Sequence, residues 1–170
     1  MRKIGKIFSF LIPVIAVAVL VVFMIGAGRQ KRAKEKFLAV ADRVYEAWNT
    51  GNADLLDVYA PDCVFHAPPN PDLEGLEAFK QFFAAVLSAY PDFQLTMDEA
   101  IFEGDIGLTR WTWRGTHTGE LMGIPPTGKQ VVVTGCTITQ GVNGKIVEQW
   151  QYEDVLGLML QLGFKLVPAK

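Results

Sequence analysis

Two histidines are the first candidates for proton transfer in this chain of 170 residues. His117 shares one face of a predicted strand with Trp111 and Trp113, and an imidazole beside apolar side chains suits a general base. His66 ends a predicted extended stretch just before a proline-rich loop, where it could face the mouth of a pocket. We therefore predict His117 and His66 as the catalytic residues. The competing interpretation gives each a structural role, with His117 capping the loop that follows it.

The predicted last strand, residues 145–153, carries a second group of candidate side chains. Because successive side chains of a strand point to opposite faces, Val147, Gln149, Gln151 and Glu153 share one face. A carboxamide donates and accepts hydrogen bonds but exchanges no proton near neutral pH. Gln149 and Gln151 could therefore orient a carbonyl group but could not act as a base.

We predict structural roles for two further acidic residues, Glu148 on this strand and Asp154 just after it. Glu148 lies on the opposite face, where we expect it to pair with Arg110 or Arg114 across the sheet. A buried carboxyl group at this position would instead be an acid. Asp154 follows the strand, and we expect it to cap a short closing helix.

The elements that must position these groups follow from the spacing of apolar residues. Helical spacing predicts two longer helices, one beginning near Phe37 and ending near Thr50, the other from Leu76 to Tyr90. The remaining pattern predicts a short helix at residues 54–59 and an extended stretch at residues 63–67. It also predicts four strands, at residues 93–102, 107–118, 130–140 and 145–153, and a closing helix at residues 154–162. Helices followed by antiparallel strands are typical of an α+β fold. We expect a curved antiparallel sheet with helices over its concave face, which leaves a pocket between them.

Charge and cysteine content narrow the class of ligand. The first 36 residues carry eight basic and one acidic side chain, whereas the rest carry eight basic and seventeen acidic side chains. An acidic domain repels a phosphate backbone, so nucleic acid is not an expected partner, and a neutral or cationic small molecule is the better expectation. Cys63 and His66 have a C-x-x-H spacing, but two more ligands would be needed, so we expect no metal site.

An apolar segment precedes the domain. Residues 7–28 carry no charge over 22 positions, and as a helix they would be about 33 Å long, which matches a hydrocarbon core of about 30 Å. This predicts a transmembrane helix in the lipid bilayer, between a basic tail at residues 1–6 and a basic juxtamembrane linker at residues 29–36. The soluble domain would be residues 37–170. Cleavage of a signal peptide after Gly28 is the alternative. Because both flanks of the segment are basic, the sequence does not indicate on which side of the membrane the domain would lie.

Two runs are the most specific motifs of the chain. Gly123–Lys129 reads GIPPTGK, and Gly144–Glu148 reads GKIVE shortly before Trp150. Together with the order of elements over residues 34–164, they resemble the SnoaL-like polyketide cyclase (ester cyclase) family of the nuclear-transport-factor-two-like superfamily. The resemblance implies a cone-shaped α+β fold with a hydrophobic pocket. In the family's cyclases such a pocket closes a polyketide ester by an intramolecular aldol reaction without a cofactor.

The resemblance also shows where this chain departs from the family. The last strand of the family's cyclases typically reads Glu-His-Trp-Asp, with the Asp as acid/base and the His nearby, and the preceding strand carries another His. The corresponding positions here are Gln151, Gln149 and Thr137. The resemblance therefore implies that these three residues, with Trp113, bind substrate, whereas His117 or His66 would have to supply the acid–base chemistry.

Two classes of function stay open at this point. One is an enzyme, a cofactor-independent cyclase or isomerase that acts on an apolar carbonyl compound. The other is a module that binds a small hydrophobic ligand and has lost proton transfer. The fold favours neither, the two histidines favour the first, and Gln149 and Gln151 favour the second. A homodimer through the outer face of the sheet is a further alternative.

Overall fold

The computed structural model describes residues 4–167 and, within the first helix, the side chains of residue 24 and of residues 26–50. This part of the chain forms helices, a short 3-10 helix and a six-stranded sheet. The helices are α1 (Ile4–Thr50), α2 (Leu76–Ala89) and α3 (Val155–Leu162), and the 3-10 helix is Ala53–Val58. The strands are β1 (Tyr59–His66), β2 (Leu73–Glu74), β3 (Gln94–Glu103), β4 (Ile106–Thr116), β5 (Gln130–Val142) and β6 (Lys145–Glu153).

The sheet is curved and has the order β2-β1-β6-β5-β4-β3, so the predicted α+β class is confirmed. The prediction of a purely antiparallel sheet is wrong, because β1 runs parallel to β6, with Phe65 opposite Gln149. The physical reason is the connection. After β1 and β2 the chain crosses through α2 to the far edge and returns strand by strand, so no hairpin sets the direction of β1 relative to β6.

The helices cover one side of the sheet: α1 lies against β3, α2 against β1 and α3 against β5. Trp48, on α1, joins the two clusters of buried side chains that form the core. The centroid of its ring lies 4.7 Å from that of Phe83 and 5.2 Å from that of Phe93. The packing of aromatic rings therefore fixes α1 across the sheet.

The first helix differs from its prediction. α1 continues without a break for 47 residues, so residues 29–36 are helical. Within the part of the chain that the structure describes, no helix has the length and apolarity needed to cross a membrane. This finding contradicts the predicted membrane localisation. The prediction treated residues 7–28 as a separate element; the side chains of residues 7–23 and all of residues 1–3 lie outside the described residues.

The beginning of the sheet also differs from its prediction. The short helix was predicted at residues 54–59 and the extended stretch at residues 63–67, but β1 already begins at Tyr59 and includes Pro61. The pairing of β1 with β6 shifts in register between Tyr59 and Val64. A proline, which has no N–H to donate, is accommodated at such an irregularity. The 3-10 helix before β1 is capped by Asn52, whose Oδ1 accepts from the Asp54 N–H at 3.1 Å.

The closing helix α3 is held at both of its ends. Asp154 caps it as predicted, with its Oδ1 accepting from the Gly157 N–H at 2.8 Å. Gln161 binds both polar backbone groups of Val132 on β5, accepting from its N–H at 2.8 Å and donating to its carbonyl at 2.9 Å. Gly163 then ends the helix in the left-handed conformation, with φ of 99°. These contacts fix α3 over the sheet.

Candidate functional site

A cavity of about 250 Å³ lies between the helices and the sheet. Most of its lining is apolar and aromatic, and a whole face of α1 contributes, from Phe37 to Trp48. Polar side chains from α1, from the sheet and from the segment after β4 interrupt this lining; they are Tyr45, Thr109, His117, Thr137, Thr139, Gln149, Gln151 and Glu153. An apolar enclosure with a few convergent polar groups is typical of a site for a small organic molecule.

His117 is fully buried, with 0% of its surface exposed, and it lines this cavity. Its backbone N–H donates to the Lys129 carbonyl at 2.9 Å, and its carbonyl accepts from the Gly128 N–H at 2.8 Å. Its ring packs on Tyr90, with the centroids 5.1 Å apart, and Nδ1 lies 3.2 Å from the Thr127 hydroxyl. Nε2 is buried and has no hydrogen-bond partner among the described residues.

The predicted substrate-binding residues are all in the cavity lining, together with Trp111; they are Gln149, Gln151, Thr137 and Trp113. Gln149 Oε1 accepts from the Tyr59 hydroxyl at 2.7 Å, and the Thr137 hydroxyl accepts from Trp111 Nε1 at 2.8 Å. Burial raises the pKa of the Tyr59 phenol well above its ordinary value, so this group stays a neutral donor. Gln149 and Thr137 are therefore already oriented by partners within the protein.

Glu153, at the end of β6, lines the cavity beside Trp113. Its Oε2 lies 3.4 Å from Trp113 Nε1, and burial raises the pKa of its carboxyl group. Burial and the nearby Glu153 charge also raise the pKa of Tyr90 to about 12. Strand alternation predicts that Glu153 shares a face with Gln149 and Gln151, but it predicts no role for this carboxyl group. The signal that could have found it is its strand position, two residues beyond Gln151.

Strand alternation on β6 predicts the pocket face only in part. Gln149, Gln151 and Glu153 line the cavity, but Val147 does not, and Ile146 takes its place. The pairing of β5 with β6 shifts in register at Gly141, opposite this point. One extra residue in a strand reverses which face the following side chains occupy, so alternation cannot be extended across a bulge.

His66 lies outside the cavity lining. Its Nδ1 is 2.9 Å from Asp72 Oδ1 and its Nε2 is 3.0 Å from Glu148 Oε1, while its ring stacks on Trp150 with the centroids 5.4 Å apart. The hydrogen bond with Asp72, joined by that with Glu148, raises the pKa of His66. Both carboxylates favour the doubly protonated ring, and a catalytic role for His66 stays a prediction.

The expected pairing of Glu148 with Arg110 or Arg114 is wrong, because among the described residues Glu148 pairs with His66. Arg110 Nη1 lies 3.1 Å from Asp98 Oδ2, on the neighbouring β3. Because β1 lies directly beside β6, the end of β1 brings His66 to Glu148 instead. The sequence could not indicate this contact, since it depends on the parallel pairing of two strands that are distant along the chain.

Comparison with known proteins decides the family. The model of the SnoaL-like polyketide cyclase family matches residues 38–162. The chain belongs to this family. This SnoaL-like protein is similar to the aklanonic acid methyl ester cyclase DnrD of Streptomyces peucetius, with 30% identity over 129 residues, which cover 71% of this chain and 86% of that protein.

Solved structures of related proteins share the fold. TsrD of Streptomyces laurentii has 29% sequence identity and a TM-score of 0.70, over 76% of this chain and 96% of its own. IdmH of Streptomyces antibioticus has 31% identity and a TM-score of 0.65, over 74% of this chain and 97% of its own. The SnoaL-like chain is therefore matched over nearly the whole length of these two relatives.

Proposed function

We propose that this SnoaL-like protein catalyses cofactor-free acid–base chemistry on an apolar carbonyl compound bound in the cavity. The observation that carries the proposal is the buried His117 Nε2, which has no partner among the described residues. A buried polar atom left unpaired costs about 1–3 kcal/mol. A bound substrate that offers a carbonyl oxygen or an acidic proton to this nitrogen would offset that cost.

The cavity lining supports an apolar substrate with few polar atoms. The rings of Trp48, Trp111 and Trp113 contribute to it, together with aliphatic side chains of α2 and α3. Among the described lining residues, none carries a lysine or arginine side chain that could pair with a substrate carboxylate. The similarity to a methyl ester cyclase likewise supports an uncharged ester or ketone.

Binding without turnover is the second candidate function. It is favoured by Gln149 and Gln151, because amide side chains can hold a carbonyl group but cannot exchange a proton with it near neutral pH. The two candidates predict the same affinity for an apolar ketone. They differ in whether the bound ketone loses a proton from the carbon next to its carbonyl group.

The test follows deuterium exchange of 2-tetralone, an apolar bicyclic ketone, in D₂O by proton NMR with the full chain. We expect exchange faster than in buffer alone, and a loss of about 100-fold in His117→Gln, the lower range for removal of a positioned acid–base or oxyanion-binding group. The variant His66→Phe reports on the second histidine, which lies outside the cavity lining. Exchange that depends on His66 and not on His117 would assign the catalytic role to His66. Binding of the ketone without enhanced exchange would establish that the protein is a binding module.

A further inference from the structure

Glu153 places a carboxyl group in the lining of the cavity. Among the described lining residues it is the only aspartate or glutamate. It shares its face of β6 with Gln149 and Gln151, and it is the next residue on that face after Gln151. The cavity lining therefore contains one carboxyl group, on the strand face that also carries the two glutamines.

The contact with Thr127 is compatible with the His117 tautomer that carries its ring hydrogen on Nε2. The Thr127 hydroxyl oxygen accepts from the Lys129 backbone N–H at 3.4 Å and lies 3.2 Å from His117 Nδ1. A hydroxyl that accepts from the backbone keeps its own hydrogen to donate, and here Nδ1 is within its reach. In this arrangement Nδ1 is the acceptor and the ring hydrogen is on Nε2, where it can be donated to a ligand.

We propose that Glu153 is the base that removes the substrate proton, and that the His117 Nε2–H donates to the oxygen on which negative charge develops. This inference rests on the proposed function and assigns its two catalytic groups. Both side chains line the same cavity, and Tyr90 lies beside both of them, since its ring packs on His117 and its phenol feels the Glu153 charge.

The step balances without a further reactant. The Glu153 carboxylate takes a proton from the carbon next to the carbonyl group, and the C–H electron pair becomes the C=C bond of an enolate. The C=O electron pair moves to oxygen, which accepts the His117 hydrogen bond. The Glu153 carboxylic acid then returns the proton, either to the same carbon or, after that carbon has attacked a second carbonyl carbon, to the new alkoxide oxygen.

The environment of Glu153 suits this role. Removal of its carboxyl group from water raises its pKa, which brings the group closer to the pH at which a base is effective. The Trp113 Nε1 contact at 3.4 Å orients the carboxylate and leaves it available to a ligand. The Tyr90 phenol, after α2, is a titratable group close enough to feel the Glu153 charge, and the His117 imidazole, after β4, lines the same cavity.

The first experiment measures 2-tetralone exchange in Glu153→Gln, with Glu148→Gln as the matched control on the opposite face of β6. We expect the rate to fall about 100-fold or more in Glu153→Gln and to stay within twofold in Glu148→Gln. A wild-type rate in Glu153→Gln overturns the inference while leaving the proposed function intact. A wild-type chain no faster than buffer overturns the proposed function itself.

The second experiment measures binding and needs no turnover. 2-Naphthol resembles the enol of 2-tetralone, and its binding can be followed by tryptophan fluorescence. We expect Glu153→Gln to bind it at least as tightly as wild type, because the neutral amide resembles the protonated carboxyl group present after proton removal. We expect His117→Gln to bind it about tenfold more weakly. Equal weakening in both variants would mean that Glu153 only binds ligand, and would overturn the inference.

Folding of the key variant is checked separately. Since burial raises the pKa of Glu153, its ionised form opposes folding near neutral pH, so the amide variant is expected to melt no lower than wild type. If Glu153→Gln does melt lower, Glu153→Asp replaces it. The aspartate variant keeps the acid, and we expect its exchange rate to fall while its increase with pH through the carboxyl titration remains. Loss of that increase in Glu153→Asp would count against the inference.

Discussion

The two histidines differ in what their ring nitrogens contact. His117 has one hydroxyl neighbour and one buried nitrogen without a partner among the described residues, whereas both nitrogens of His66 face carboxylate oxygens. Unpaired buried groups are typical of sites that bind ligands, and paired groups on the rim of a fold are typical of structural roles. At this scale the distinction depends on neighbours that come from distant parts of the chain.

His66 leads to a prediction about stability and pH. Asp72 on the following loop and Glu148 on β6 are the charged groups that face it, and they raise its folded-state pKa above the unfolded value of about 6.5. The stabilisation is therefore complete below that unfolded value and is lost as the pH rises through the folded-state pKa. Because the Asp72 and Glu148 side chains are 55% and 38% exposed, we expect at most about 1 kcal/mol.

The measurement compares the free energy of unfolding of wild type and His66→Phe, which keeps a ring to stack on Trp150. Wild type should be more stable at pH 5.5, and the difference should shrink by pH 9. Glu148→Gln removes one of the two carboxylates and should reduce the same pH dependence. A stability difference that is constant with pH would contradict the assignment of a charged bridge.

At Gly135, the backbone of β5 lies close to the indole ring of Trp111. A Cβ atom at Gly135 would lie 2.3 Å from Trp111 Cη2 and 2.5 Å from the Tyr152 carbonyl oxygen. The missing side chain therefore gives Trp111 the space in which it donates to Thr137. We expect Gly135→Ala to cost about 1–3 kcal/mol of folding stability, the range for overpacking a core.

Gly26→Ala is the matched control for that change. It lies in α1, where an added Cβ meets nothing within 4 Å, so alanine should be neutral or slightly stabilising. Urea unfolding followed by tryptophan fluorescence measures both variants. Equal stability of Gly135→Ala and wild type would show that the strand tolerates the side chain and that Trp111 is not confined by it.

The sequence predicts the helices and strands of this fold better than it predicts which of them lie side by side. The hydrophobic spacing from Phe37 to Trp48 predicts the face of α1 that lines the cavity, and Asp154 is a helix cap recognisable from its position. The parallel pairing of β1 and the register shift near Val147 leave no such local signal, because both arise when distant segments meet. For that reason the contact between His66 and Glu148 could not be predicted.

At the scale of the whole molecule, the cavity separates helices and sheet in the middle of a small core. Side chains of α1 and α3 reach it from one side and those of β4, β5 and β6 from the other. An apolar cavity loses the packing contacts that a filled core would make, so a ligand that fills it stabilises the folded state. Binding and unfolding are therefore coupled in this protein.

This coupling predicts that 2-naphthol raises the Tm of the protein, and that a larger side chain placed in the cavity prevents that rise. At a ligand concentration 100 times the Kd, the folded state should gain about 2.7 kcal/mol, or a rise in Tm of roughly 5–10 °C for a chain of this size. Ala41, a small residue of α1 in the cavity lining, offers the competing change. Ala41→Leu should lose most of the ligand-dependent rise, because the leucine excludes the ligand, whereas Gly26→Ala should keep it. A rise in Tm of the same size in Ala41→Leu and wild type would place the ligand outside this cavity.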